Sequence, residues 1–185
     1  MSSSLSFQRL EAEDLFEIER QESQLTFLGS PGDITQEAAE VLASQDIAWT
    51  AWAGGRILAC FGISELFHGM HGLAWALLGR QLGVHHLALT RFMQGAIRDC
   101  GLVRLELLAR ANDDLEDLID MMAAQGMKLD GAQLVAAAMA RPTPECRWAK
   151  LLGFEAAHVL RFFGAAAETH MLFERFDLPG EAEIY

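Results

Sequence analysis

The sequence predicts an α/β domain built on a mixed sheet. Residues 47–78 contain three runs of strand-forming residues joined by short turns, which is typical of an antiparallel meander. Over residues 85–99 the apolar spacing changes to every third or fourth residue, and another strand-like run follows. A strand, a helix and a strand at this spacing predict a right-handed crossover and a parallel strand pair.

The composition indicates a globular protein. The chain has 185 residues, enough for one domain with a sizeable core, and 51% of them are hydrophobic against 22% charged. No apolar run approaches the roughly 20 residues that cross a membrane, and residues 1–5 show no secretory signal. We therefore expect one domain over residues 1–176, a loose tail over 177–185, a cytoplasmic location and no membrane partner.

The formal net charge of −12 is unevenly distributed. Nucleic-acid binding draws most of its affinity from neutralising phosphates, so an acidic chain argues against a nucleic-acid partner. Residues 80–110 are the exception, because five arginines there face only Asp99 and Glu106. This basic segment either holds a small phosphate-bearing ligand or solvates a surface.

The cysteines and histidines form no recognisable metal motif. The three cysteines are Cys60, Cys100 and Cys146. Their wide spacing favours reduced thiols over a disulfide framework. Neither the pair His68 and His71 nor the pair His85 and His86 has further ligands at zinc-site spacing. We expect no metal.

A strand and two helices precede the meander. Residues 6–10 read as a short strand, and residues 11–21 have the apolar spacing of a helix. Asp33 is a suitable N-cap for the second helix, and Gln36 completes a capping-box pattern. We expect this helix to run to about residue 44.

The meander and the crossover occupy the middle of the chain. The predicted strands cover residues 47–53, 56–66, 73–78 and 102–109. Gly54-Gly55 supplies the positive φ angles of a two-residue hairpin turn, and residues 68–72 form a second turn. The third strand is largely apolar, which indicates burial on both faces. A helix over residues 85–99 then ends at Gly101.

The last third of the chain alternates helices and strands. Asn112 caps a helix that Gly126 ends, and residues 133–140 fit either a strand or a helix. Thr143-Pro144 starts another helix, because proline suits the first helical position, and Gly153 ends that helix. The final predicted strands cover residues 154–163 and 169–176.

This order of elements resembles the fold of the GNAT N-acetyltransferases. Residues 147–154, Arg-Trp-Ala-Lys-Leu-Leu-Gly-Phe, are similar to the helix-to-strand junction ending in Leu-Gly-Phe of that family, and Asn112 resembles its frequent asparagine after the fifth strand. The resemblance covers nearly the whole chain, with an apparent helical insertion at about 113–143. It implies a mixed central sheet with an antiparallel meander, a parallel crossover pair splayed at the centre, and helices on both faces.

The resemblance also implies a site for acetyl-coenzyme A as cosubstrate. In that family the fourth strand offers backbone groups to the pantetheine arm. The following loop and helix N-terminus receive the pyrophosphate, because unpaired N–H groups and the helix dipole attract anions. Arg80 and Gly83 match the family's loop pattern, but His85 replaces a small residue and either covers the helix terminus or donates to a phosphate. The implied coenzyme-binding residues are Leu77, Leu78, Arg80, Gln81, Leu82, Gly83, Val84, His85 and Asn112.

The catalytic residues that the resemblance implies are less complete. The family often uses a tyrosine as general acid on the helix before Leu-Gly-Phe. Here Ala149 occupies that position, and the only tyrosine is Tyr185 in the tail. A general base must reach the substrate amine, directly or through water. The candidate bases are Glu65, His68 and His71, and for each the simpler interpretation is an ordinary strand-end or loop residue. Cys146 lies at a helix start, where the dipole would lower its thiol pKa, but it has no evident base partner.

Two main functions remain open, and a third interpretation is a regulatory binder of some other small molecule, which would bind without turnover. The first is an N-acyltransferase that moves an acetyl or similar acyl group from acyl-coenzyme A to an amine. The second is a catalytically silent GNAT-fold structural or interaction protein with protein partners. Residues 147–154 are also similar to acetyltransferase-like proteins of tailed bacteriophages, some of them virion components, which would place the protein in a virion. Phe92 or Met93 filling the coenzyme slot would favour the second function.

Overall fold

The computed structural model describes residues 4–24, 26–27, 30–31, 33–164 and 167–177. The α-helices in these residues are α1 (Asp14–Glu17), α2 (Gln36–Ala43), α3 (His86–Asp99), α4 (Asp114–Ala124), α5 (Gly131–Ala140) and α6 (Pro144–Leu151). Short 3-10 turns cover Glu22–Gln24 and Gly83–His85. The strands are β1 (Ser6–Arg9), β2 (Thr26–Phe27), β3 (Ser30–Pro31), β4 (Ile47–Ala53), β5 (Arg56–Phe67), β6 (His71–Leu78), β7 (Arg104–Arg110), β8 (Glu155–Phe163) and β9 (Glu168–Phe176).

The main sheet has seven strands in the order β1-β4-β5-β6-β7-β9-β8, and it includes one parallel pair. A mixed sheet with helices confirms the predicted α/β class. Residue contacts divide the chain into two compact units. Apart from short exchanged segments, the first unit ends at Leu105 and the second covers Glu106–Phe176.

The first unit contains the predicted meander. Antiparallel pairs join β1 to β4, β4 to β5 and β5 to β6. Gly54 and Gly55 have φ angles of 59° and 74°, which confirms the positive φ that the hairpin turn requires. β6 begins two residues earlier than predicted, because His71 pairs with Phe67 across the second turn.

Apolar side chains cover both faces of this meander. Side chains of successive strand residues point to opposite faces, so Cys60 and Phe61 face different layers. The Cys60 face joins α1 and α2 in a buried cluster. Its members are Leu10, Leu15, Ile18, Ala39, Leu42, Ala48, Cys60, Trp75 and Leu77. On the other face Phe92 of α3 stacks on Phe7, with ring centroids 3.8 Å apart, and meets Phe61 edge to face.

The predicted helix over residues 11–21 is wrong beyond Glu17. α1 has four residues and ends at Glu17, and its C-cap Ile18 has extended backbone angles. The residues that follow bond to the chain after β6: Arg20 forms an antiparallel bridge with Gly79, and Arg80 N–H donates to Glu19 O at 2.9 Å. These long-range bonds take the place of helical ones, so tertiary context overrides the local helix propensity.

The predicted cap of the second helix is also wrong. Thr35 has extended backbone angles directly before α2, and its Oγ1 accepts from the N–H of Ala38 at 3.2 Å. Asp33 lies two residues further from the helix, and its carboxylate pairs with Arg20 at 2.9 Å instead. The helix therefore begins at the better-placed of two residues that suit an N-cap.

The second unit holds the helices of the predicted insertion and the final hairpin. Residues 133–140, which the sequence left between strand and helix, lie in α5, where Asp130 and Gln133 form a capping box. Thr143 caps α6 and Pro144 takes its first position, as predicted. β8 and β9 pair antiparallel. No helix of the described residues is long and apolar enough to cross a membrane.

Candidate coenzyme site

The loop after β6 lies where the sequence predicts a phosphate-binding loop. We call its residues 80–85 the phosphate loop after that prediction. It joins β6 to α3 through a 3-10 turn, and Gly83 adopts a φ of +39° there. His85 precedes the first helical residue, has helical backbone angles, and makes no side-chain capping bond. Its N–H donates to Leu82 O at 2.9 Å. The side chain of His85 therefore makes no hydrogen bond that caps the helix N-terminus.

The loop side chains differ sharply in exposure. Val84 is 86% exposed, whereas Leu82 is 2% exposed and can offer a ligand only its backbone. Arg80 Nε donates to Arg20 O at 3.2 Å, and Gln81 accepts from Arg56. An anion at this loop would therefore meet backbone groups, together with side chains that already bond to neighbours.

Backbone groups of β6 point alternately toward β5 and away from it, as in any antiparallel pair. Gly79 N–H donates to Leu58 O at 2.8 Å. By alternation Leu77 directs its backbone toward β5 as well, and its side chain is fully buried. Leu78 and Ala76 face away from β5. We call their backbone groups the outer edge of β6.

The outer edge of β6 is covered by residues 19–24, which we call the strap. Gln21 N–H donates to Leu78 O at 2.9 Å, and Gln21 Nε2 donates to Gly79 O at 3.2 Å. Gln24 is bonded twice: its Oε1 accepts from Leu78 N–H, and its Nε2 donates to Ala76 O at 3.3 Å. The Gln24 carboxamide thus fills the outer edge as the amide of a neighbouring chain would.

The sequence analysis missed the strap. Local apolar spacing extended the first helix to residue 21 and gave the glutamines no role. The one available signal is the polar run Gln21-Glu22-Ser23-Gln24, which offers no apolar residue to continue the buried face of a helix.

The three candidate bases lie at the opposite end of β6 from the phosphate loop. Glu65 is near the end of β5 and pairs with Gly72, while Leu78 pairs with Ala59. Six residues of strand separate these positions, or roughly 20 Å at about 3.3 Å per residue. The side chain of His68 is 99% exposed.

Glu65 is held by two neighbours in the adjoining turn. Its carboxylate accepts from the Gly69 N–H and lies 3.3 Å from His68 Nδ1. The Gly69 N–H holds the pKa of Glu65 below its ordinary value. Glu65 lines a cavity of about 350 Å³ with the ends of α2 and α3, including Gln45 and Cys100.

In the second unit Asn112 performs the predicted capping role. Its Oδ1 accepts from Asp114 N–H at 3.2 Å at the start of α4. Asn112 also lines a cavity of about 250 Å³, together with Leu115, Leu118 and Arg141. Its assignment as a coenzyme ligand stays a prediction.

Ala149, at the position where the resemblance implies a tyrosine acting as general acid, is buried. Ala149 is fully buried and the adjoining Trp148 is 8% exposed. Tyr185 lies outside the described residues. Cys146 is 1% exposed, and burial raises the pKa of its thiol. The expected lowering of that pKa by the helix dipole is therefore wrong, because desolvation of the thiolate outweighs it.

No group of three or more His, Cys, Asp or Glu side chains that could hold a metal ion occurs among the described residues. In the first unit a cavity of about 280 Å³ adjoins the phosphate loop. It is lined by both signs of charge, from Glu17, Glu19, Arg56 and Arg80.

Comparison with known proteins supports the architecture. No family model and no curated protein matches the sequence. Solved structures do match the fold along nearly its full length. Ard1 from Thermoplasma volcanium has a TM-score of 0.61 at 12% identity, over 94% of this chain and 98% of that one. An aminoglycoside 6'-N-acetyltransferase complexed with coenzyme A has a TM-score of 0.59 at 13% identity, with the same coverage.

A third match shows that the reaction varies on this fold. The GphF GNAT-like decarboxylase, in complex with isobutyryl-CoA, has a TM-score of 0.61 at 11% identity, over 94% of this chain and 98% of that one. At identities this low, the structural similarity establishes only the fold. The chemistry must be argued from the site. The chain has the GNAT fold.

Proposed function

We propose that this protein binds acyl-coenzyme A and transfers its acyl group to an amine. The observation that carries the proposal is the order of features after Ala76: an outer strand edge that binds an amide, a glycine-containing loop, and the N-terminus of the 14-residue helix α3. The edge suits the amides of a pantetheine arm, and the helix N-terminus suits its pyrophosphate. Coenzyme A and isobutyryl-CoA in two proteins of the same fold support this choice of ligand.

In the proposed reaction the neutral amine attacks the thioester carbonyl. A C–N bond forms, the C–S bond breaks, and coenzyme A leaves as a thiolate that takes up a proton. Glu65 or a water molecule accepts the proton that the amine loses. Because the Gly69 N–H lowers its pKa, Glu65 is ionised at neutral pH but is a weak base. His68 and His71 are the other candidate bases.

A second candidate function is a catalytically silent GNAT-fold structural or interaction protein. Two observations favour it: Ala149 is fully buried where the family often has its acid, and the strap occupies the outer edge of β6. The similarity of residues 147–154 to bacteriophage proteins belongs to this candidate. It predicts no turnover with any amine.

Titration calorimetry with acetyl-coenzyme A tests the first proposal. Val84→Asp places a negative charge on a residue of the phosphate loop that is 86% exposed, and we expect it to weaken binding roughly tenfold. Val41→Asp is the matched control, because Val41 is 55% exposed on α2, and it should bind as the wild type does. Release of free thiol in the presence of amines then measures transfer. The absence of binding at millimolar ligand would refute the proposal, and binding without transfer to any amine would favour the silent protein.

A further inference from the structure

The strap meets the outer edge of β6 through a continuous series of hydrogen bonds. Arg80 N–H donates to Glu19 O, Gln21 N–H donates to Leu78 O, and both glutamine side chains bond to the strand. Between Ala76 and Arg80, these contacts engage two N–H groups and three carbonyl groups. A ligand amide that runs along this edge would need some of the same groups.

The Gln24 side chain has the chemistry of the ligand that the outer edge would bind. A carboxamide offers one acceptor and two donors. Here the acceptor takes the Leu78 N–H and a donor reaches Ala76 O at 3.3 Å. These two backbone groups are two residues apart on one edge of a strand, the spacing at which a neighbouring peptide chain bonds. Gln24 therefore stands in for an amide supplied from outside.

The strap is tied to the rest of the first unit mainly by hydrogen bonds. α1 ends at Glu17, its C-cap Ile18 has extended backbone angles, and the strap beyond it contains a 3-10 turn at Glu22–Gln24. Arg80 makes two further contacts to the strap: its Nε donates to Arg20 O at 3.2 Å, and its guanidinium lies 3.8 Å from Glu22. The ion pair with Glu22 contributes little, because the two side chains are 59% and 85% exposed. Ile18 anchors the base of the strap in the buried cluster at 6% exposure.

We propose that the strap is an autoinhibitory segment, in which Gln24 occupies the amide-binding edge of β6 and must leave before the coenzyme arm can bind there. This inference rests on the proposed acyl-coenzyme A function. The measured affinity for the coenzyme then depends on competition between the Gln24 carboxamide and the amides of the pantetheine arm. The closed strap lowers the apparent affinity by the fraction of molecules that are open.

The experiment compares coenzyme binding to three variants by titration calorimetry. Gln24→Ala removes two hydrogen bonds from the closed state and should tighten acetyl-coenzyme A binding roughly tenfold, because the closed state then competes less with the ligand. Gln21→Ala removes one side-chain bond and should tighten binding roughly threefold. Gln36→Ala is the control, because Gln36 Nε2 donates to Glu40 Oε1 at 2.9 Å on the exposed side of α2, and it should bind as the wild type does.

Hydrogen exchange at the Leu78 amide supplies a readout that needs no ligand. This N–H is bonded to Gln24 Oε1, so it should exchange faster in Gln24→Ala and in no control variant. Excess acetyl-coenzyme A should restore its protection in that variant.

The outcomes separate the two proposals. If wild type and all variants fail to bind the coenzyme, the proposed function fails and the strap has no ligand to exclude. If the wild type binds and Gln24→Ala binds equally or more weakly, the strap proposal alone is overturned, because Gln24 then supports the bound state. Unchanged exchange at Leu78 in Gln24→Ala would likewise overturn it.

Discussion

At the scale of single residues, burial decides which thiols can react. Cys60 is fully buried and Cys146 is 1% exposed, and burial raises the pKa of both thiols. The negative charge of Asp14 adds to the effect at Cys60. Cys100 is half-buried at the end of α3. Since the thiolate is the reactive form, only Cys100 combines a free thiol with access to solvent.

We therefore predict that a thiol reagent modifies one cysteine quickly in the native protein and all three after denaturation. The difference should be at least tenfold in rate, because native-state reaction of the buried thiols requires local opening. The Cys100→Ser variant should lose the fast phase and keep the two slow thiols. A fast phase that survives in Cys100→Ser would contradict the burial of Cys60 or Cys146.

At the scale of elements, Gly62 and Gly95 differ in how much space their neighbours leave for a side chain. A Cβ on Gly62 of β5 would stand 2.4 Å from Ile47 O on β4, where backbone cannot yield cheaply. A Cβ on Gly95 of α3 would meet only Arg98 at 3.9 Å. The same substitution should therefore have opposite effects at the two positions.

We expect Gly62→Ala to lower the free energy of unfolding by about 2–3 kcal/mol, the cost of forcing atoms into a packed site. Gly95→Ala should raise it by up to about 1 kcal/mol, because alanine is the better helix former. Urea unfolding of both variants measures this contrast. Equal losses in the two variants would show that close approach of β4 is not what requires Gly62.

In the second unit Glu116 ties α4 to both strands of the final hairpin. Its carboxylate accepts from Arg161 Nε at 2.9 Å on β8 and from the Thr169 hydroxyl on β9. The bond from Arg161 is the main reason that the pKa of Glu116 lies below its ordinary value. A carboxyl of lowered pKa contributes stability above its ordinary pKa, and that stability is lost as the pH falls through the lowered value.

Glu116→Gln should therefore lower the free energy of unfolding by about 1 kcal/mol at pH 7 and by much less at about pH 3. The value at pH 7 allows for the partial exposure of the pair. Glu155→Gln removes an exposed pair with Lys150 and should cost less than about 0.5 kcal/mol at either pH. Urea unfolding at the two pH values measures both. A Glu116→Gln loss that stays constant down to pH 3 would exclude the ionised pair as its cause.

Elements that depend on local chemistry could be predicted from the sequence, and those set by distant partners could not. Gly54-Gly55 and Thr143-Pro144 specify their turn and helix start through backbone angles of the residues themselves. The strap depends on hydrogen bonds between Gln24 and β6, 52 and 54 residues away in sequence. The same limit applies to the candidate site: the order of elements predicts where a phosphate-binding loop would lie, but no local pattern indicates what fills the outer edge beside it.

At the scale of the whole molecule, a chain of net charge −12 is proposed to bind an anionic coenzyme through a locally basic segment. The two effects act over different distances. Long-range repulsion from the acidic residues acts only where the Debye length is large, about 30 Å at 10 mM salt. Attraction at the phosphate loop acts over a few ångströms and survives at 150 mM, where the Debye length is about 8 Å.

Affinity for acetyl-coenzyme A should therefore pass through a maximum as salt increases. Raising the salt concentration from 10 to 150 mM screens the distant acidic residues first and should tighten binding severalfold. At 1 M the Debye length is about 3 Å, so salt also screens the attraction at the loop and should weaken binding. Calorimetry at the three salt concentrations measures the affinity. The control is the binding of uncharged pantetheine, measured in the same way, and its affinity should show no maximum. A steady fall in affinity from 10 mM upward would mean that local attraction exceeds the repulsion of the whole chain at every distance.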